Sequence, residues 1–285
     1  MPFHNPTSEI YVPDGSPADI ALLRTTHLGV GAHQDDLEIM AFHGILECFG
    51  KSDKYFTGAT VTSGAGSPRE GIYAAYTDEQ MQAVRRTEQK KAALVGDYSA
   101  HVFLDYTSSE VKDPNHANII EDLKNLITAC RPQVIYTHNL ADKHDTHVAV
   151  ALRMIRALRE LPRDVRPQKL YGCEVWRNLD WMSDKDKVVF DVSAHENLAM
   201  SLVGVFDSQI AGGKRYDWAT LGRRRANATY LESHATDVAT SVIYGVDLTP
   251  LAFDASLDPA HYIASFIKSF ADDVAARITR LSPSH

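Results

Sequence analysis

The stretch HLGVGAHQDDLEIMAFHGILECFG, residues 27–50, decides the fold of this chain. Its first part, residues 27–33, is short and apolar, which predicts a buried strand. Its second part, residues 36–50, has apolar residues at helical spacing and ends on a glycine, which is typical of an amphipathic helix with a stop signal. Three polar side chains stand at the junction: His33, Asp35 and Asp36. Because a buried carboxylate pair is costly without a cation beside it, the junction either caps the helix in solvent or holds a metal ion.

Strand-type and helix-type patterns alternate beyond this stretch. Further strands are predicted over 55–62, 101–106 and 133–138, and helices over 78–97, 118–130 and 145–161. The later part is less regular, with strands expected at 168–176 and 187–193 and helices at 194–211 and 258–281. This alternation indicates an α/β fold, a Rossmann-like and mostly parallel sheet with helices on both faces. Without an internal repeat or a linker, one domain with a C-terminal elaboration is the simplest organisation.

Composition and charge exclude several classes of function. The chain has 285 residues and a formal net charge of −8, which argues against a nucleic-acid or anionic-membrane partner. Its three cysteines are far apart and form no disulfide framework. The N-terminal residues lack the pattern of a signal peptide, and no apolar run approaches the length of a membrane span. We therefore expect a cytoplasmic protein with no nucleic-acid partner and no membrane span, and homo-oligomerisation is left open.

Histidines follow two of the predicted strands. In parallel sheets, ligands bind beyond the carboxyl ends of the strands. His33 ends the first strand and His138 ends the fourth, and the segment ADKHDTHVAVAL at 141–152 adds His144 and His147, three residues apart. Each piece alone is a weak signal, because acidic helix caps and solvated helix starts are common. Together they place imidazole and carboxylate groups at one edge of the sheet.

These groups are the ligands that zinc prefers, and three protein ligands with an open fourth position make a catalytic zinc site. His33, Asp36 and His147 supply three such ligands. Asp35 and His144 then remain as acid–base groups beside the metal. A hydrolase needs this set, because the metal acidifies a water, one group takes its proton and another protonates the leaving group.

Five segments resemble one known family. GAHQDD (31–36) resembles the Ala-His-Pro-Asp-Asp motif of the PIG-L/LmbE-like deacetylases, and DKHDTHVAV (142–150) resembles their His-Pro-Asp-His segment. The segments VTSGAGSPR, VRRTEQKKAALVG and DSQ (207–209) match the family's general layout. The resemblance implies a Rossmann-like fold, a Zn²⁺ cofactor and N-deacetylation of an N-acetylglucosaminyl-type small molecule. It also implies one domain over 1–285, with a core at 27–160 and an elaboration at 161–285 that shapes the substrate pocket.

The resemblance assigns roles by position. It implies His33, Asp36 and His147 as zinc ligands and Asp35 as the general base. His144 matches the histidine that protonates the amine or stabilises the oxyanion. Two residues are expected to bind substrate: Arg69, by the resemblance, and His138, by its place at a strand end, where bracing His144 is the alternative.

The chain departs from the family pattern at three places. Gln34 replaces the usual proline, and Ala65 stands where many members have glutamate. Asp145 and Thr146 replace Pro-Asp between the two histidines, so the aspartate that orients the acid histidine in the family is absent from its place. Asp142 is the candidate substitute.

Other functions remain open at this stage. Specificity lies in the 63–77 loop and the C-terminal half, so an amidase of thiol or other conjugates with the same chemistry is an alternative, as is a non-catalytic sugar-binding homologue. A dinucleotide-binding module is disfavoured because GVGAHQDD lacks the G-x-G-x-x-G spacing. The basic and aromatic segment GGKRYDWATLGRRR (212–225) predicts a solvated helix face, with an anion site as the second interpretation.

Overall fold

The computed structural model describes residues 3–283. In this part of the chain the strands are β1 Glu9–Tyr11, β2 His27–Gly31, β3 Phe56–Thr62, β4 Ala100–Tyr106, β5 Val134–His138, β6 Lys169–Cys173, β7 Val188–Asp191 and β8 Val242–Asp247. The helices are α1 Ala18–Leu23, α2 Asp36–Met40, α3 Phe42–Cys48, α4 Asp78–Val95, α5 Ser108–Lys112, α6 Ala117–Cys130, α7 Asp145–Glu160, α8 Glu196–Gly204, α9 Asp207–Ile210, α10 Tyr216–Tyr230, α11 Thr249–Phe253 and α12 Pro259–Leu281. None of these helices is long and apolar enough to cross a membrane.

The strands form one mixed sheet in the order β1-β4-β3-β2-β5-β6-β8-β7. The central strands β4, β3, β2, β5 and β6 are parallel, whereas β1, β8 and β7 join antiparallel at the two edges. The predicted fold class is therefore confirmed. After β2 the chain builds outward through β3 and β4, then returns to place β5 on the other side of β2. The carboxyl ends of β2 and β5 flank this switch point, where ligands bind in such sheets.

The alternation of side chains along β2 sets the distance between the sheet and α2. Leu28 and Val30 point into one core, whereas Gly29 and Gly31 face the other side of the sheet. A Cβ atom at residue 29 would lie 2.7 Å from the ring of Phe56 and one at residue 31 would lie 3.0 Å from the Cβ of Asp36. The two glycines therefore let α2 approach β2 closely, which brings Asp36 to the strand end.

Two hydrophobic cores cover the two faces of the sheet. One contains side chains from α1, α5, α6, α7 and α11, and the other contains side chains from α2, α3, α4 and α8. Apolar side chains at helical spacing, such as Leu123, Leu126 and Ile127 of α6, are fully buried. This double layer fixes the strand ends on which the functional groups stand.

Two predicted helices are interrupted. The helix expected over 36–50 breaks at Ala41, and the one expected over 194–211 breaks between α8 and α9. At the first break, Arg224 of α10 donates to the carbonyl oxygens of Glu38 and Ile39 at 2.7 and 3.0 Å. Carbonyls at a helix end lack intrahelical partners, and this guanidinium supplies one.

Candidate active site

A strained turn joins β2 to α2. Asp35 has φ 86° and ψ −26°, in the left-handed region that residues other than glycine seldom adopt. The turn brings the Oδ2 atom of Asp36 to 2.6 Å from the backbone N–H of His33, which it accepts. The aspartates leave the turn in different directions, so Asp36 faces the histidines whereas Asp35 faces α4.

Three side chains form a compact triangle of ligand atoms. The Nδ1 atom of His33 lies 3.1 Å from Nε2 of His147 and 3.4 Å from Oδ2 of Asp36. The Nε2 atom of His147 lies 3.4 Å from Oδ1 of Asp36. A tetrahedral zinc ion with ligands at 2.0–2.1 Å needs ligand–ligand edges of about 3.3 Å. Each of the three separations is close to this length, and the two that involve Asp36 end on different oxygens of its carboxylate, so the residues lie near enough to one another to hold a small metal ion.

The ionisation of the group suits a metal as well. Burial lowers the pKa of His147 to about 4, so its imidazole is neutral at pH 7. Burial raises the pKa of Asp36, but the neighbouring imidazole of His147 opposes it, and the pKa lies well below the usual range. Metal ligands must be deprotonated, and this pair already is at neutral pH.

Two sets of three residues, both containing His147, bring one ligand atom from each residue within 4.8 Å of the others: His33, His144 and His147, and Asp36, His138 and His147. His138 is fully buried, and its Nε2 atom lies 2.8 Å from the backbone N–H of Ala32 and 3.3 Å from Oδ2 of Asp36. One nitrogen cannot accept from the amide and donate to the carboxylate, and the shorter contact favours acceptance. The lone pair of His138 is then occupied, which favours the triangle that contains His33. His138 is not among the residues that line the cleft described below, and its role in substrate binding stays a prediction.

Asp142 organises the second histidine segment. Its Oδ1 atom accepts from the backbone N–H of His144 at 2.9 Å, and its Oδ2 atom accepts from that of Trp176 at 3.1 Å. The same Oδ2 atom lies 3.6 Å from Nδ1 of His147. A carboxylate behind a metal-binding histidine fixes its tautomer and orientation. Asp142 therefore holds the backbone of His144 and lies behind the ring of His147, and the Nδ1 atoms of both histidines have no hydrogen-bond partner in the described part of the chain.

Asp35 is paired with an arginine from α4. The Nη2 atom of Arg85 lies 3.0 Å from Oδ2 of Asp35 and also donates to the carbonyl of Gln34. Its Nη1 atom lies 3.5 Å from Glu88, which accepts from the backbone and hydroxyl of Ser208 at 2.7 Å each. Burial raises the pKa of Asp35 to about 6, although Arg85 opposes the shift. A carboxylate with such a pKa suits general base catalysis near neutral pH.

A cleft of about 550 Å³ opens onto these groups. Four predicted site residues line it, His33, Asp35, Asp36 and His144, together with Arg85, which pairs with Asp35. The loop after β3 forms another wall of the cleft. Gly64 in that loop has φ 75°, and a side chain at this position would collide with that of Gln34. The third wall comes from Trp176, Gln209, Lys214 and Tyr216.

Arg69 stands beside this cleft and not among its lining residues. Its guanidinium donates to the carbonyl of Ala65 at 2.6 Å and forms an ion pair with Asp78. Contact with a substrate would require this pair to open. The role of Arg69 in substrate binding therefore stays a prediction.

The sequence matches one described family over the part of the chain that contains these groups. The model of the family described as "PIG-L: GlcNAc-PI de-N-acetylase" matches residues 28–158. Over these residues the chain is similar to the PIG-L family. The match begins at β2 and ends within α7, and it contains both histidine segments. No curated protein matches the chain in sequence.

Solved structures share the fold of this chain. The N,N'-diacetylchitobiose deacetylase of Pyrococcus horikoshii has a TM-score of 0.61 and 13% identity, with 81% of this chain and 86% of that chain covered. The A40926 pseudoaglycone deacetylase Dbv21 has a TM-score of 0.54 and 18% identity, with 79% and 97% covered. GalB, the 4-carboxy-2-hydroxymuconate hydratase of Pseudomonas putida KT2440, has a TM-score of 0.59 and 15% identity, with 79% and 96% covered. At these identities the comparisons establish the fold and leave the reaction open.

Several residues around the site are not among the site residues predicted from sequence. Arg85, Glu88 and Gln89 lie on one face of α4 at spacings of three and four residues and are all buried. A polar stripe on the buried side of a helix is the signal that identifies such a network. Trp176 lies beyond the matched segment, and no local pattern connects it to the site. Lys214 and Tyr216 belong to the basic and aromatic segment 212–225, for which an anion site is the second interpretation.

Proposed function

We propose that this chain is a metal-dependent amide hydrolase that N-deacetylates an N-acetylglucosaminyl-type small molecule. One observation carries the proposal: ligand atoms of His33, Asp36 and His147 lie 3.1 to 3.4 Å apart, close to the separation of zinc ligands, with Asp35 and His144 on the same cleft. The family description and the deacetylases among the similar structures support the substrate class.

When bound in this triangle, a divalent ion supplies Lewis acidity to a water molecule and to the acyl oxygen. Asp35 takes a proton from the attacking water, while Arg85 holds its Oδ2 atom and leaves the other oxygen for the transfer. As oxygen bonds to the acyl carbon and the C–N bond breaks, His144 or the protonated Asp35 gives a proton to the leaving amine. The products are a carboxylate, acetate in the case of deacetylation, and the free amine.

Measurement of acetate release tests the proposed reaction. Purified protein is loaded with Zn²⁺ and incubated with N-acetylglucosaminides and with N-acetylated thiol conjugates, and acetate and primary amine are quantified. We expect equal amounts of both products from at least one N-acetylglucosaminide. Turnover of the thiol conjugates alone would favour the amidase alternative, and the absence of amide cleavage would contradict the proposal. The likeness to a hydratase makes product identity the decisive readout.

Metal content tests the ligand assignment separately. His147→Ala removes one corner of the triangle, and the two remaining ligands hold zinc poorly. We expect wild type to bind one ion per chain and the variant to lose both metal and activity. The matched control is His261→Ala, because the side chain of His261 on α12 is 92% exposed. This variant should retain both the metal and the activity. Full metal occupancy in His147→Ala, measured by elemental analysis, would show that the assignment is wrong.

A further inference from the structure

A second cavity adjoins the cleft on the side of His144. This chamber has a volume of about 280 Å³. Four residues line both the chamber and the cleft: Ile39, Val175, Trp176 and Tyr216. The ring of Trp176 is stacked with that of His144 at a centroid distance of 6.5 Å. His144 is one of the two proposed proton donors to the amine, and with His144 in that role the chamber lies on the leaving-group side of the scissile amide.

The walls of the chamber are mostly apolar, yet its charged groups are mainly cations. Lys143, Arg223 and Arg224 line it, against the single carboxylate of Glu174. That carboxylate accepts from two backbone N–H groups and from Asn227, at 2.8 to 3.0 Å. Glu174 is therefore occupied by the protein itself, and the three cations have no carboxylate within 4.0 Å in the described part of the chain.

Arg224 is the most unusual of the three cations. It is only 2% exposed, and its Nε and Nη1 atoms have no hydrogen-bond partner among the described residues. Burial lowers its pKa to about 9, and no neighbouring acid opposes the shift. A buried charge without a counter-ion is costly, which suggests that its partner is not part of the chain. Its bonds to the carbonyls at the end of α2 engage one nitrogen, Nη2, and its guanidinium lies 4.7 Å from the centroid of the Phe42 ring, but no carboxylate of the described residues pairs with it.

We propose that the chamber binds a carboxylate carried on an apolar arm of the substrate's leaving group. The apolar walls of Ile39, Trp176 and Tyr216 cover the arm, and the positive potential of Arg223, Arg224 and Lys143 attracts the acid. A carboxylate suits this site better than a phosphate dianion, because desolvation of the second charge in a largely apolar chamber costs more. This inference rests on the proposed function for the placing of the leaving group.

The inference also separates the two interpretations of segment 212–225. Arg225 points to solvent and pairs with Glu196, as expected of a solvated helix face. Arg223 and Arg224 line the chamber from the same helix. One helix therefore provides both a solvated face and a candidate anion site, on different sides.

Two matched glycosides test the chamber, phenyl and 4-carboxyphenyl N-acetyl-β-D-glucosaminide. They carry the same acetamide and differ only in the acid. We expect kcat/KM of the Zn²⁺-loaded enzyme to be at least about tenfold higher for the carboxyphenyl compound, the size of one charged hydrogen bond. The ratio of kcat/KM for the carboxyphenyl compound to that for the phenyl compound should fall towards one in Arg223→Met and Arg224→Met. It should be retained in Arg224→Lys. Arg225→Met on the same helix is the control and should leave the ratio unchanged.

Arg224→Met loses the hydrogen bonds to α2 and this loss could prevent the variant from folding. Arg223 makes no bond to that helix, so in that case Arg223→Met alone tests the inference. Equal kcat/KM for the two glycosides, or a preference that survives in Arg223→Met, would overturn the inference.

Binding separates this inference from the proposed function. If neither glycoside is hydrolysed, the proposed function fails, and the affinities of the same two compounds are measured by calorimetry with chelator-treated protein. Without metal the carboxylate cannot be held at the triangle of His33, Asp36 and His147. A preference of about tenfold that Arg223→Met abolishes and Arg225→Met keeps would support the chamber. Equal affinities would overturn it.

Discussion

Asp35 and His144 lie on the same cleft but in different surroundings. Asp35 is almost fully buried and bound by Arg85, whereas His144 is partly exposed, with its ring stacked on that of His147 at a centroid distance of 4.6 Å. Burial raises the pKa of Asp35 and lowers that of His144. The two shifts bring these pKa values towards each other, and groups that exchange protons near neutral pH suit acid–base catalysis.

Substitution of these two residues tests their acid and base roles. Asp35→Asn keeps the shape of the side chain and removes the base, and His144→Ala removes the proton donor. We expect both variants to keep Zn²⁺ and to lose on the order of 10²-fold or more in kcat, as is typical for acid–base groups. The measurement is steady-state kinetics with elemental analysis of each preparation.

Asp145→Asn is the control for this experiment, because Asp145 is the exposed first residue of α7, next to His144. Near-normal turnover in zinc-loaded Asp35→Asn would exclude Asp35 as the base. A small loss in His144→Ala would leave Asp35 as the only proton donor. Loss of the metal in His144→Ala would instead place His144 among the ligands.

At the level of single elements, the close approach of α3 to β5 depends on Gly44. A Cβ at this position would lie 2.5 Å from Cε2 and 3.0 Å from Cδ2 of Tyr136. That tyrosine is 1% exposed and its hydroxyl is 2.8 Å from Nδ1 of His43, so its ring cannot move aside. Gly222, in the exposed part of α10, has no heavy atom within 4 Å of its ideal Cβ.

The same substitution at these two glycines should have opposite effects. Gly44→Ala should lower the free energy of unfolding by about 1–3 kcal/mol, because the added methyl group overpacks the core. Gly222→Ala should raise it by about 0.5–1 kcal/mol, because alanine restricts the unfolded chain and favours the helix. Urea denaturation of both variants beside wild type measures the two changes. Stabilisation by Gly44→Ala would show that α3 is not held against Tyr136.

At the level of the whole molecule, buried neutral histidines link stability to pH. His101 is fully buried in β4 and hydrogen bonds to the hydroxyl of Thr60. Burial, with a smaller effect of Arg86, lowers the pKa of His101 to about 3, and burial lowers that of His27 to about 4. In the unfolded chain a histidine has a pKa near 6.5 and binds its proton first. Their contribution to stability is therefore complete above pH 6.5 and is lost as the pH falls towards 3.

The variant His101→Gln tests this linkage, because the glutamine amide can replace the ring Nε2 as partner of Thr60. Between its folded and its unfolded pKa, each such histidine should lower the free energy of unfolding by about 1.4 kcal/mol for every unit that the pH falls. Between pH 6 and pH 4 the free energy of unfolding of wild type should therefore fall more steeply than that of the variant, by up to this amount per unit. Urea denaturation in the presence of a chelator, at pH 7, 6, 5 and 4, gives both slopes. Parallel slopes would show that His101 is protonated in the folded protein.

Much of the sheet and the chemical groups of the site follow from local sequence. Residues 27–50 predict the β2–α2 junction because apolar periodicity is a property of neighbouring residues. The histidines and aspartates were predicted to meet because parallel strands end at one edge, and His33, Asp36 and His147 do lie together. Short elements such as β1 and α1 were missed, since three to six residues hold too little periodicity to be recognised.

The tertiary structure alone decided which partners these groups have. Arg85 pairs with Asp35, which is 50 residues earlier in the chain. Arg224 donates to the carbonyl of Glu38 in α2, which is 186 residues earlier. Asp142 turned to the ring of His147 and not to that of His144, and Arg69 pairs with Asp78 beside the cleft. Such contacts depend on the packing of distant elements, and neither side-chain chemistry nor spacing along the chain encodes that geometry. The sequence by itself therefore determined the fold class and the inventory of reactive groups, whereas packing determined their pairing, their ionisation and the shape of the chamber beside them.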